Sequence, residues 1–585
     1  MPGTQADTTN NTRFGLLVLA ILSILSFWKI FLINDLIWDD NCWLQSIYLT
    51  STLQEFLDTG WTQLHRFPVG TFQYFFLGLH RHTDYFFIVW HALSLLTQFV
   101  SAVFLYLLIR ELFKDKLLAL FTAIGFLVFH LDQSLPYASV MNYRIGLALS
   151  IISLYLTVKA CSERTRWGLL ALAGLCALIA HSVFIEPAIA LEPGRLAIIG
   201  YCFYAQHERG TGLVRKTLMR WSPFLALGLP LIIYKLTNKP YGIYQGTYTV
   251  DPWFFLDWKQ NLREISDLLF FDWLSFWKLS RYADTWSFAI LPVAILFFGY
   301  FLWRLRTAPA AAATGARPVL QASSGWKPML LSRTSGVFAL GFLFLLPPLL
   351  MVKFVGMNFY LKGTQNNAHA IFSQIGFAII LGNMMALAFS RIVRKHPAHK
   401  MQYFLLGSVL GLGVYYNNIG LDLYQDSWRR QTLFWKTFTA RFPALPEKAD
   451  FLFDVADGAP LSDLRVHCDF EVNLNLLYAR TADPTQFRKY RVISLEDYHG
   501  TAVKRGVARL DDTPIERLTL WGREVLDPNQ IVVVVYRYGQ ILVGQEVKQH
   551  IRDYREIPYS NWLDHELPPP QPPGGYPLRH RLRGF

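Results

Sequence analysis

Charge is what this sequence has least of. Only 17% of its 585 residues are Asp, Glu, Lys or Arg, against 52% hydrophobic and 16% aromatic, and the mean hydropathy is positive at +0.25. Soluble globular chains carry roughly a quarter charged residues, so an ordinary soluble domain is excluded. Cysteine is scarce too. Cys42, Cys161, Cys176, Cys202 and Cys468 show no CxxC or Cys/His spacing, which argues against both a zinc site and a disulfide framework. A removable leader is also not expected: Met1 to Asn11 is short and polar, and the apolar run after Arg13 continues to Ile33 with no small-residue cleavage pattern. That run reads as a retained first membrane helix. No repeat of fixed period is visible.

What the chain does have is apolar runs of membrane-spanning length. Eleven segments qualify: 14–33, 85–109, 117–129, 145–158, 168–184, 187–204, 221–236, 286–303, 336–352, 370–389 and 403–419. A helix needs about 20 residues to cross a hydrocarbon core of about 30 Å, so the third and fourth are short for the task. The formal charge of +13 would suggest nucleic acid in a soluble chain. Here the basic residues gather in alternate loops, such as Arg110, Lys114 and Lys116, then Lys159, Arg164 and Arg166, and later Arg391, Arg394, Lys395 and Lys400. That pattern sets orientation and implies no nucleic-acid partner. With a cytoplasmic N-terminus, the odd number of spans puts the C-terminal part outside.

The expected fold is therefore mainly α, a polytopic membrane bundle of about eleven helices over residues 1–420, followed by an extracytoplasmic α/β or α+β domain over 421–585. The first outer loop, 34–84, carries an apolar helical face (Trp43, Leu44, Ile47, Leu49, Leu53, Phe56, Leu57) that suits a helix lying in the membrane interface. A second large outer loop, 237–285, is rich in Trp and Phe and reads as a further interfacial hairpin. Strand-like runs at Asn529 to Tyr538 and Gln540 to Val543 mark the C-terminal domain. Its tail, PPPQPPGG at Pro568 to Gly575, reads as extended, and APAAAATGARP at Ala308 to Pro318 as a linker.

Chemistry-bearing residues concentrate on the outer side. INDLIWDDNCW, Ile33 to Trp43, follows the first span and holds Asp35, Asp39 and Asp40. Acids at a span's end often only mark the exit into water, and Asp35 fits that description. Three further stretches accompany them: His65-Arg66-Phe67-Pro68 late in the first outer loop; LDQSLPYASVMNYR, Leu131 to Arg144, a loop whose one cation is Arg144; and AHSVFIEPA, Ala180 to Ala188, a tight turn with Glu186. As an ordered set, these resemble the GT-C class of membrane glycosyltransferases, especially its protein O-mannosyltransferase-like branch. The resemblance covers roughly Phe14 to Tyr204.

The resemblance implies a polyprenyl-phosphate-sugar donor whose tail lies in the bilayer, with membrane lipids as surroundings and a protein, lipid or polysaccharide acceptor. Either Asp39 or Asp40 is then the general base, with Asp40 placed first, because transfer to a hydroxyl needs one carboxylate to take its proton. Arg144, Arg66 and Lys362 are candidates for the leaving phosphate, for which a guanidinium offers a bidentate fork. Glu186 is a candidate partner for these cations, and His181 and His369 for substrate. One base and one displaced phosphate imply inversion. No His pair has zinc spacing, and a monophosphate leaving group does not demand a divalent ion, so no cofactor is expected although a cation is compatible. Two other classes stay open. A transporter or flippase for a lipid-linked sugar calls for charged or broken helices near the midplane, which the sequence does not display. A non-catalytic, glycan-binding membrane scaffold would leave Asp39 and Asp40 replaceable.

Overall fold

The computed structural model describes residues 3–34, 39–83, 85–131, 134–161, 166–183, 185–206, 208–241, 258–271, 280, 283–307, 333–354, 370–395, 400–445, 449–455, 467–478, 490–494, 515–519, 522–526, 531–537 and 540–543. In chain order the helices used below are α1 (Gly3–Phe27), α2 (Asp39–Leu49), α3 (Phe67–His82), α4 (Phe86–Phe113), α5 (Lys116–Val128), α6 (Met141–Cys161), α7 (Trp167–Val183), α8 (Glu192–Ala205), α9 (Gly210–Thr237), α10 (Trp258–Ser266), α11 (Thr285–Thr307), α12 (Arg333–Phe354), α13 (Gln374–Lys395), α14 (Lys400–Arg441) and α15 (His467–Tyr478). Eight of the described helices are long and apolar enough to cross a membrane. The protein is an integral membrane helical bundle with a small α/β unit at its C-terminal end.

The bundle is built around its shortest central member. Helix α5 starts where Lys114 turns left-handed and the Asp115 carboxylate accepts the amides of Leu117 (2.9 Å) and Leu118 (3.0 Å), an N-cap that satisfies two amides with no partner inside the helix. It has 13 residues, about 20 Å, which is shorter than a hydrocarbon core of about 30 Å. Every residue from Leu118 to Val128 is buried. Helix α13 crosses it at Gly382, where a Cβ would collide with the backbone of Thr122, and α12 crosses α13 at Gly376, where a Cβ would meet the backbone of Gly341 and Leu345. Small residues at such crossings let backbones approach and gain dispersion contacts, which lipid does not otherwise favour.

A helix that ends in an apolar medium needs partners for its last carbonyls. The Gln374 amide, at the head of α13, donates to Phe126 O (3.1 Å) and Phe129 O (2.8 Å), and the Asn417 amide of α14 donates to Leu127 O (3.1 Å) and Val128 O (3.2 Å). Gln374 Oε1 also accepts the Leu131 amide at 2.7 Å. The described residues that follow, 130–131 and 134–137, are irregular backbone and buried.

Two expectations change here. The sequence boundary at residue 420 falls inside α14, which runs 42 residues without interruption, about 60 Å. Asn417, Asn418 and Asp422, which look like an exit into water, are buried and face other helices. The expected span 187–204 is likewise not continuous. A short helix, Ile185–Ile189, precedes a break, and α8 begins at Glu192 with Pro193 in its first turn.

Lys29, in the 3-10 turn Trp28–Leu32 that ends the first span, is almost fully buried. It pairs with Asp284 at 2.5 Å, with Asp422, and with the Ser287 hydroxyl at 2.7 Å, so α1, α11 and α14 share one ion cluster. Burial alone would raise the Asp284 carboxyl, but Lys29 and the Ser287 amide outweigh it and hold the group below its ordinary 3.8.

The C-terminal unit is a four-stranded sheet in the order β2-β1-β5-β6, from β1 (Ala449–Val455), β2 (Tyr490–Ser494), β5 (Ile531–Arg537) and β6 (Gln540–Val543), with a separate β3–β4 hairpin (Ile515–Thr519, Gly522–Leu526). β1 runs parallel to β2 and β5, and β6 returns antiparallel. The parallel β1–β2 pair requires a crossover, whose described helix is α15. Phe434, Trp435, Phe438 and Phe442 from the far end of α14 enter this unit's core beside Phe451, Phe453 and Val534, so a membrane helix and the sheet share one apolar interior.

Asn417→Leu leaves two buried carbonyls without their donor and is expected to cost about 1–3 kcal/mol, read as a lower unfolding temperature in detergent; an unchanged value would refute the capping role. Asp284 gives a pH signature. Its carboxyl is lowered on folding, so its contribution is present above the ordinary value and lost as pH falls through the folded one. Stability should therefore decline below about pH 4, and Asp284→Asn should flatten that decline; an identical acid profile in the variant would count against the ion cluster.

Candidate functional site

Asp40 lies in the first turn of α2 and has no solvent exposure. Its Oδ2 accepts the Ala138 amide at 2.9 Å and its Oδ1 the Ser139 amide at 2.6 Å. Both donors belong to the single 3-10 turn Ala138–Val140, at the end of the irregular chain that leaves α5. That chain runs straight into α6, whose first turn carries Arg144. The Arg144 guanidinium is buried, with Nη2 3.4 Å from the Ser134 hydroxyl. One short loop thus meets an acid from the segment after the first span and a cation from α6.

Helix α3 reaches the same place. Arg66, largely buried, is its N-cap residue. His65 before it adopts the left-handed region, with φ of 53°, and sets its ring against Tyr234 and Tyr241 near the far end of α9. Two turns into α3, Gln73 Nε2 donates to the Ser139 carbonyl at 2.5 Å. The 138–140 turn is therefore gripped from both sides, by Asp40 on its amides and by Gln73 on a carbonyl.

The other sequence candidates divide. Asp39 heads α2, but its side chain lies outside the described residues, as does that of Glu186 within the short helix Ile185–Ile189. Lys362 and His369 lie outside them altogether. His181 joins a different group: its Nε2 is 3.5 Å from Glu192. Glu192 also accepts Arg195 Nε at 2.9 and 3.0 Å and Trp221 Nε1 at 3.2 Å. Arg195 in turn donates to Ser153 (2.9 Å) and Thr157 (2.8 Å) on α6 and stacks on Phe224. This charged cluster within the bundle, together with the break before α8, supplies the charged and broken helices that the sequence reading did not find. Its signal was Glu192 and Arg195 three apart in an apolar run, a spacing that puts both on one helix face.

The apolar face of α2 is satisfied by protein. Trp43, Leu44, Ile47 and Tyr48 are buried in one cluster with Trp61 and Val69, and with Val472 and Leu476 of α15. Trp43 and Trp61 stack with centroids 4.1 Å apart. In α15 this face has an apolar partner that a loop read alone does not reveal. Gln45 Nε2 donates to Glu471 Oε1 at 2.6 Å, and Glu471 Oε2 accepts the Val492 amide of β2 at 2.9 Å. One buried carboxylate therefore ties α2 to the sheet.

Cysteine requires a second correction. Cys42 is disulfide-bonded, whereas Cys161, Cys176 and Cys202 are free and buried. The sequence holds one other cysteine, Cys468, at the head of α15. With the other three free, Cys468 is the one cysteine of the sequence left to pair with Cys42. Spacing along the chain could not reveal a bond between residues so distant in sequence. Among the described residues no group of three His, Cys, Asp or Glu side chains is placed to hold a metal ion.

No family model matches the chain, and no curated protein does. Among solved structures it is similar to the crystal structure of ArnT from Cupriavidus metallidurans bound to undecaprenyl phosphate, at 12% identity over 88% of this chain and 97% of that one, with a TM-score of 0.37. So loose a likeness carries no argument, and the chemistry of the site has to come from its own geometry.

A thiol-reactive polymer added to denatured, unreduced protein is expected to label three of the five cysteines and all five after reduction. Full labelling without reduction would remove the link between α2 and α15.

Proposed function

We propose that this chain is an integral-membrane glycosyltransferase that moves a hexosyl or pentosyl group from a polyprenyl-phosphate carrier to an acceptor hydroxyl, on the extracytoplasmic side and with inversion. One observation carries the reading. The loop that leads into the helix of Arg144 is met at two places, by the buried Asp40 carboxylate at the amides of Ala138 and Ser139 and by the buried Arg144 guanidinium at the Ser134 hydroxyl. The disulfide at Cys42 supports the outer assignment, since such bonds persist in oxidising compartments.

In the proposed step the lipid tail stays in the bilayer and the phosphate faces Arg144, with Arg66 at the head of α3 as a second cation and Lys362 a third. The acceptor oxygen attacks the anomeric carbon as the bond from that carbon to the phosphate oxygen breaks. The electron pair leaves with the lipid monophosphate, whose growing charge the guanidinium stabilises. The acceptor's proton passes to Asp40. The two amides that its oxygens accept fix the carboxylate's position before substrate arrives. Asp39 is the neighbouring candidate for the same role. Glu186 is proposed to orient a cation, and His369 to face substrate. No step requires a metal.

A lipid-linked sugar transporter is a second reading, favoured by the charged cluster of His181, Glu192 and Arg195 within the bundle. Such clusters line substrate paths in carriers.

The deciding experiment incubates purified protein with polyprenyl-phosphate sugars and a hydroxyl acceptor, comparing wild type with Asp39→Asn and Asp40→Asn. Loss of a general base is expected to lower turnover about 10²- to 10⁴-fold in one variant. Wild-type turnover in both would sink the base assignment, and movement of intact donor across a vesicle membrane without transfer would establish the transporter instead.

A further inference from the structure

Beside Asp40 stands a set of buried polar atoms that the base and phosphate roles leave unused. Gln73, Ser139 and Asn142 are each at least 95% buried, with relative exposures of 2%, 5% and 1%. Among the described residues Gln73 Oε1, Ser139 Oγ and both amide atoms of Asn142 have no hydrogen-bond partner. The indole nitrogen of Trp90 is in the same condition, and Trp90 packs in one cluster with Ala138 and Met141, which flank the turn. Buried polar groups in folded proteins are paired in the great majority, so several orphans in one place ask for an explanation.

Their geometry is fixed by what is already bonded. The Ser139 carbonyl can only accept, so it is the Gln73 nitrogen that faces it at 2.5 Å, and the Gln73 oxygen is left as the free end. The Ser139 amide is spent on Asp40, which leaves its hydroxyl. Asn142 follows Ser139 by three residues across the start of α6, a spacing that puts both on one helical face. Two acceptors, one donor pair and a rotatable hydroxyl, all neutral, are thereby gathered at the turn that Asp40 grips. A phosphate would want the arginines. A neutral ligand with several hydroxyls, each both donor and acceptor, fits this set group by group.

We propose that Gln73, Ser139 and Asn142 form the sugar subsite of the donor, reading ring hydroxyls while Trp90 supplies an apolar wall. The proposal rests on the glycosyltransferase reading and adds where the transferred sugar sits. It explains why the polar atoms are kept although burying them unpaired costs about as much as losing a hydrogen bond: the bond is made when donor arrives. A donor lacking the matching hydroxyl leaves a buried group unpaired and is rejected.

The test measures binding of full-length protein in nanodiscs to three lipids: a hexosyl polyprenyl phosphate, a pentosyl polyprenyl phosphate, and sugar-free polyprenyl phosphate. Ser139→Ala is the variant least able to disturb the fold, since it keeps both backbone bonds and removes only the hydroxyl. Asn142→Leu removes an amide whose two polar atoms have no hydrogen-bond partner among the described residues. Each is expected to weaken the preferred sugar lipid about three- to tenfold with binding of the sugar-free lipid unchanged. Variants that keep the wild-type ratio between sugar lipid and bare lipid overturn the subsite, as does a gain in unfolding temperature for Asn142→Leu with that ratio intact. A wild type that binds bare polyprenyl phosphate but gains nothing from a sugar overturns the subsite and leaves the lipid-phosphate reading standing. A wild type that binds none of the three overturns both.

Discussion

A helix that stops inside hydrocarbon has carbonyls that neither water nor lipid will take, and the arrangement of this protein follows from how that problem is met at Val128. Gln374 and Asn417 bond the last carbonyls of α5. With those groups satisfied, the chain from Phe129 onward can remain irregular and buried instead of running on to the membrane surface. Only such a chain can bring a 3-10 turn to the buried Asp40 and then deliver Arg144 at the head of the next helix. The two amide side chains lie far from the site in sequence, yet the site depends on them. They also tie α13 and α14 to α5, so the cap that frees the loop holds the bundle together.

The same division explains what could be read from the sequence. Asp40 and Arg144 stood out because charge is rare there: an acid pair at a span's end, and one cation in a loop otherwise without any. Eight of the eleven apolar segments match described helices long and apolar enough to cross a membrane, and the strands at Ile531–Arg537 and Gln540–Val543 were legible by their β-branched runs. Gln374 and Asn417 were not, because an amide in an apolar segment scarcely changes its hydropathy and carries no charge to attract notice. Asp422 misled in the opposite sense. It lies just past the apolar segment 403–419, where the sequence reading ends the bundle, whereas it meets Lys29 and Ser287 and the helix continues to Arg441. Cys42, Gln45 and Glu471 were silent for a third reason: their meaning lies in a pairing between chain ends, which no local window contains.

That pairing gives the C-terminal unit a physical role. Helix α14 is one rod from the bundle into the core of the sheet, where Phe434, Phe438 and Phe442 are as buried as the strands they touch. Helix α15 then returns to α2 through Val472, Leu476 and Glu471. The unit is thus fastened twice, once through a continuous helix and once through the helix that begins at Asp39 and Asp40. A unit free to swing would leave the acid helix without its partner α15; fastened, it keeps the Asp40 carboxylate against its turn. Preorganisation of this kind is what a transfer reaction at a membrane surface needs, because a carboxylate that must find its position spends part of the barrier on ordering.

The buried polar groups also sort by charge, and the sorting bears on mechanism. Around Lys29 and around Glu192 the charges are matched and bonded at short range, as they must be where an unpaired ion is very costly. Around the 138–140 turn the pattern differs. Asp40 accepts two backbone amides, and the neighbouring side chains include neutral amides and a hydroxyl with capacity to spare. The first arrangement resists change, since moving either ion strands the other. The second tolerates a ligand's coming and going, because neutral groups exchange partners at small net cost. A membrane protein that used its ion clusters for turnover would have to break them in each cycle. Keeping them as fasteners and leaving neutral groups at the acid's side lets one rigid frame hold both a fixed carboxylate and a replaceable set of hydrogen bonds.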